Sequence, residues 1–99
     1  MTGTTRSSAD LDPRRRKVLF RAWHRGTREM DLIMGRFADA HIGGFSDAEL
    51  DDFERLIEVP DRDLFAWVTA KAETPGNYDT AIFQALKAFH SEGKGVWLG

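Results

Sequence analysis

Residues 45–60 read FSDAELDDFERLIEVP, and this stretch decides the fold class. Ser46 followed three positions later by Glu49 is a capping box. The serine hydroxyl can accept the amide hydrogen of Glu49 while the glutamate carboxylate reaches back to the amide of Ser46. Phe45, just before the cap, is placed to staple onto Leu50. Leu50, Phe53, Leu56 and Ile57 then recur at helical spacing as one apolar face, and Pro60 ends the helix near Glu58, because the residue before a proline avoids helical angles.

Working outward, the same grammar repeats on both sides. Upstream, Gly43-Gly44 stops a helix that Thr27 can cap and whose stripe is Met30, Ile33, Met34, Phe37 and Ala38. Gly26 separates it from a first helix, capped by Asp10 or Asp12, tolerant of Pro13 in its first turn, and apolar at Val18, Leu19, Ala22 and Trp23 through His24. Downstream, Asp61 can cap a fourth helix with Leu64, Phe65, Val68 and Ala72 as its stripe. Pro75-Gly76 closes it before Asn77 or Asp79 caps a fifth, carrying Ile82, Phe83, Leu86 and Phe89. No window shows period-two alternation, and no repeat occurs at 20 to 50 residues. The expected architecture is all-α, a compact single-domain bundle of five short helices over residues 10–90. A disordered leader precedes it at 1–9, and a flexible tail follows at 91–99 with Trp97 and Leu98 in it.

Composition narrows the function classes. A chain of 99 residues with 41% hydrophobic and 30% charged residues is one soluble globular domain. Fourteen basic against sixteen acidic residues give no overall case for nucleic acid, and the absence of cysteine removes disulfides, thiolate metal sites and cysteine nucleophiles. No apolar run approaches the ~20 residues that span a bilayer, so no membrane insertion is expected. The N-terminal residues resemble neither a secretory signal nor a transit peptide, which favours a bacterial cytoplasmic location over the mitochondrial matrix.

Few residues present themselves for chemistry. Arg14-Arg15-Arg16-Lys17, with Arg21 one turn on, predicts a basic side on the first helix. This is the feature behind an alternative reading as a small helical nucleic-acid-binding regulator. His24, His41 and His90 lie far apart without metal-ligand spacing, so no metal is expected; His24 and His41 fall near helix C-termini, where a cation is favoured. No nucleophile elbow, phosphate loop or dinucleotide fingerprint is present, so no catalytic residue is assigned and the chain reads as a non-enzyme.

Arg25-Gly26-Thr27-Arg28-Glu29-Met30-Asp31, at the junction of the first two helices, is the densest mixture of special residues. Gly26 lets the backbone turn and another surface approach. Glu29 and Asp31 sit in a helical first turn, where acids are favoured, and Arg25 and Arg28 flank them with planar, permanently charged forks. Trp67 is read as a core aromatic or, partly exposed beside its stripe, as a contact residue.

This segment resembles the signature of the succinate dehydrogenase assembly factor family, the flavinylation factors, whose Arg-Gly-x-x-Glu motif appears here as Arg25, Gly26 and Glu29. Arg28, Met30 and Asp31 continue the likeness, as do Phe45-Ser46-Asp47-Ala48-Glu49-Leu50 and Asp63-Leu64-Phe65-Ala66-Trp67, so it covers about residues 14–90. Thr27 departs from the larger apolar residue of some relatives. The resemblance implies a five-helix, chaperone-like assembly factor that is a monomer when free. Its implied client is the flavoprotein subunit of succinate dehydrogenase or fumarate reductase, in which it promotes covalent flavinylation with FAD. FAD is delivered to or stabilised in the client rather than held firmly by the factor, and attachment is self-catalysed in the client. The implied partner-binding residues are Arg25, Gly26, Glu29, Arg28, Asp31 and Trp67.

Overall fold

In the computed structural model, which describes residues 10–92, five helices follow one another: α1 (Pro13–Trp23), α2 (Arg28–His41), α3 (Asp47–Ile57), α4 (Asp61–Val68) and α5 (Ala81–Ser91). No strand occurs among the described residues. The expected leader 1–9, and the expected tail beyond Glu92, lie outside the described residues; Ser91, assigned to that tail, is the last residue of α5.

The helix starts follow from side-chain capping. Asp12 rather than Asp10 caps α1, accepting from the Arg15 amide at 3.3 Å, and Thr27 accepts from Met30 at the start of α2. Both halves of the capping box form at α3: Ser46 Oγ accepts from the Glu49 amide at 3.1 Å, and Glu49 Oε1 accepts from the Ser46 amide at 2.8 Å. The fifth cap differs from expectation. Thr80 accepts from the Phe83 amide, while Asn77 belongs to a 3-10 turn, Gly76–Tyr78, and Asp79 follows it.

Helix α4 is shorter than its apolar spacing predicts, and Ala72 is exposed rather than part of the stripe. The chain leaves the helix through Ala70 at φ +62°, with the Ala70 amide on the Trp67 carbonyl and the Lys71 amide on the Ala66 carbonyl. That pair of bonds is a Schellman ending, which glycine usually occupies. Here alanine sits in the left-handed position, so the sequence carries no stop signal at that point.

Phe37 of α2 stands at the centre of the core, its ring centroid 5.8 Å from Phe53 of α3, 6.0 Å from Phe45 and 5.5 Å from Phe89 of α5. Phe45 and Leu50 are both buried, as a staple requires. Helices α1 and α2 make the most extensive pairing, and a glycine permits it. The Trp23 indole lies directly on the α2 backbone at Gly35, where an added Cβ would overlap the ring atoms. Trp23 is therefore a core residue, at the cost of leaving its buried Nε1 without a hydrogen-bond partner.

Candidate functional site

The junction between α1 and α2 is a built elbow. Gly26 sits at φ +120°, a conformation that costs a residue with a Cβ on the order of 1–3 kcal/mol. A Cβ there would meet nothing closer than Asp61 Oδ2 at 3.9 Å, so the backbone angle, not crowding, requires glycine. The turn is tied from inside by Asp31, whose Oδ1 accepts from the amides of Arg25 at 2.5 Å and Gly26 at 3.3 Å.

Arg25 departs from the sequence-based expectation. Its fork was expected to face a partner; instead the side chain is only 6% exposed and turned into the bundle. Nε donates to Asp61 Oδ1 at 2.8 Å, Nη1 to the Ile57 carbonyl, and Nη2 to the Val59 carbonyl at 2.5 Å. Three separate pieces of chain meet on one guanidinium: the elbow, the end of α3 and the start of α4. Asp61 is likewise not the cap expected of it. Pro60 occupies the N-cap position of α4 without a side-chain cap bond, and the Asp61 carboxylate crosses to Arg25 and, at 3.5 Å, to the Thr27 hydroxyl.

With Arg25 and Asp31 turned inward, Gly26, Thr27, Arg28 and Glu29 form the exposed crest. The Glu29 carboxylate makes no hydrogen bond or ion pair among the described residues. Below it runs a groove of about 550 Å³, lined by Thr27, Glu29, Met30, Asp61, Arg62 and Phe65, with a mostly apolar wall. Met30 was read as core and is 1% exposed, and Phe65 is half-buried, so the apolar wall is the edge of the core itself. Trp67 is half-buried against the core, its ring 5.3 Å from that of Tyr78. Sequence reasoning missed Asp61 and Arg62 as site residues. An aspartate in a helical first turn has a sufficient reason to be there without any distant partner, so no local signal marks it.

The basic side predicted on α1 is largely cancelled by acids of the same chain. Arg14 pairs with Asp51 and, at 2.6 Å, Glu54; Arg21 pairs with Glu58 at 2.5 Å; Arg15 pairs with Asp12 at 2.9 Å and donates to the Ile42 and Phe45 carbonyls. The Arg14 hydrogen bonds hold the Glu54 carboxyl below its ordinary value. Arg16 and Lys17 are left without such partners among the described residues, too few for a phosphate-tracking face. His24 caps the C-terminus of α1, and His41 is the last residue of α2, as their dipole reading requires. His90 is held below its ordinary value by desolvation. Among the described residues no group of three or more His, Asp or Glu side chains is placed to hold a metal ion, and no helix is long and apolar enough to cross a membrane.

The family model described as "Flavinator of succinate dehydrogenase" matches residues 16–90. The chain belongs to this family. Its relatives include the succinate dehydrogenase assembly factor 2, mitochondrial, of Dictyostelium discoideum, 32% identical over 79 residues that make up 80% of this chain and 56% of the relative. The FAD assembly factor SdhE of Acetobacter pasteurianus is 35% identical over 77 residues, 78% of this chain and 71% of the relative. The assembly factor 2 of Debaryomyces hansenii is 35% identical over 74 residues, 75% of this chain and 48% of the relative. The chain thus spans about half the length of the first two mitochondrial relatives, 56% and 48%. No solved structure gives a significant match. The matched span takes in the elbow, the groove and all five helices except the start of α1 and the last residue of α5.

Proposed function

We propose that this member of the flavinator family binds the flavoprotein subunit of succinate dehydrogenase or fumarate reductase and promotes covalent attachment of FAD to it. The observation that carries this reading is Glu29: a carboxylate left exposed and unpaired on a rigid elbow, beside an apolar-walled groove, within the span that the family model matches. A free acid on a pre-organised edge loses little entropy on docking and accepts hydrogen bonds from basic groups of a client. Arg28 stands on the same crest, and Gly26 exposes backbone that a client can approach closely.

The attachment chemistry belongs to the client in this proposal. The factor contributes binding energy that favours the client conformation in which flavin and acceptor side chain are in reach of each other. FAD enters as cargo of the client, the factor acts as a monomer, and a bacterial cytoplasm suits it. Trp67, half-buried, is proposed as a marginal contact.

The test is Glu29→Ala in cells co-expressing a client subunit. Covalent flavin, read by in-gel fluorescence of the client, should fall at least several-fold. Helicity and Tm of the variant should stay near wild type, because an exposed, unpaired side chain contributes within about 0.5 kcal/mol. Full flavin loading with Glu29→Ala, or in cells lacking the factor, refutes the reading. Gly26→Arg should lower loading too, but it also strains the backbone at φ +120° and so lowers stability.

A further inference from the structure

We infer that Asp61 is the positioning residue of the elbow, acting through Arg25 and Thr27 to hold the crest that carries Glu29 in register with the groove. The inference rests on the reading that the elbow docks onto the client. It adds a residue from a different helix, 36 positions beyond Arg25, to the three motif positions.

Three observations converge on it. The Asp61 carboxylate makes no cap bond for its own helix: α4 begins at Asp61 after Pro60 at the N-cap position, with no side-chain cap bond. It reaches both flanks of Gly26, accepting from Arg25 Nε at 2.8 Å and from Thr27 Oγ1 at 3.5 Å. And it lines the same groove as Glu29, so the group that orients the elbow is also part of the surface the elbow overlooks. The pair is largely removed from solvent, with the side chains 6% and 21% exposed, so the guanidinium and carboxylate cannot readily exchange each other for water. The Arg25 guanidinium also holds the Ile57 and Val59 carbonyls, and Asp61 completes that set as its only charged partner among the described residues. Positive φ at Gly26 supplies the bend but not its direction, since glycine alone is permissive; Asp31 ties the bend to α2 and Asp61 ties it to α4.

A double-mutant cycle on the full chain tests this. Binding to a client flavoprotein subunit is measured for wild type, Asp61→Asn, Glu29→Gln and the double variant, with covalent flavin on the client as a second readout. Asn keeps the shape of Asp61 and removes its charge. Each single change should weaken binding by about tenfold, and the double change by little more than either alone, because both act through one contact. A roughly hundredfold loss in the double variant would mean that Asp61 touches the client independently, and undisturbed binding by Asp61→Asn would mean that it does nothing; either overturns the inference. In the free chain, the amide resonances of Gly26 and Glu29 should move in Asp61→Asn and return toward wild type in Asp61→Glu; unmoved resonances also overturn it. This second arm stands apart from the client. If Glu29→Gln leaves binding and flavinylation unchanged, the docking reading fails, while the amide shifts still decide whether Asp61 sets the elbow.

Discussion

Two arginines at opposite ends of α1 are used in the same way, and only one of them sits at the candidate site. Arg15 holds the Ile42 and Phe45 carbonyls at the α2–α3 junction and pairs with Asp12; Arg25 holds the Ile57 and Val59 carbonyls at the α3–α4 junction and pairs with Asp61. Each clamp supplies a fixed fork to carbonyls in the connection between two helices. They differ in where the carboxylate comes from and what lies beside it. Asp12 is three residues from its arginine and 45% exposed, whereas Asp61 comes from another helix and is 21% exposed. Arg25 lies beneath a glycine turn with an unpaired acid above it, and no such crest stands over Arg15. The lesson is that Arg25 serves the fold. In the proposed reading, docking falls to the residues that the clamp leaves facing out.

The comparison breaks first at Arg25. Arg25→Ala should lower stability by about 3 kcal/mol, because it strands a shielded carboxylate and two carbonyls together, and should abolish flavinylation of the client with it. Urea unfolding would read this as a lower midpoint at unchanged slope. A loss below about 1 kcal/mol would put the two clamps on an equal footing. Arg15→Ala should cost about 1–2 kcal/mol, since water can reach much of what it leaves, and the remaining folded protein should load its client normally. A specific loss of flavinylation there, at temperatures where the variant is folded, would contradict the division of labour between the clamps.

The smallest effect is expected at Asp12. The hydrogen bond from Arg15 holds its carboxyl below the usual aspartate range. A carboxyl lowered in the folded state adds stability above its unfolded value, about 3.9, and that stability is lost as pH falls through the folded value. Asp12→Asn should therefore be slightly less stable than wild type near pH 7, and the gap should narrow as pH falls below the unfolded aspartate value toward the folded one, as read from urea midpoints along that range. A gap that persists at low pH would assign the effect of Asp12 to its cap geometry rather than to its charge.

The fold was legible wherever a local rule sufficed. Ser46 and Glu49 specify a helix start within four residues, and the apolar stripes of α2 and α3, and of α5 apart from the half-buried Phe89, are the buried faces observed. The readings failed where a residue satisfied a local rule while serving something else. Asp61 passes as a cap, and Ala72 continues a helical period that Ala70 has already broken by taking a left-handed angle without glycine. Gly35 gives no sign in sequence that it makes room for Trp23. At the elbow, the sequence marked an exposed turn at the α1–α2 junction, which the structure shows. The direction in which Arg25 points depends on Ile57, Val59 and Asp61, more than thirty residues away, and no local pattern encodes that.

That separation also orders events on the ribosome and during refolding. The exposed crest is translated early, but its shape waits for a loop closed over 36 residues, so the segment exists as a string of letters well before it exists as a surface. In the proposed reading, a chain cut anywhere between α2 and α4 would carry Arg25, Gly26 and Glu29 and still fail to dock, and the ordered elbow should appear late in refolding, together with α4 rather than with α1 and α2.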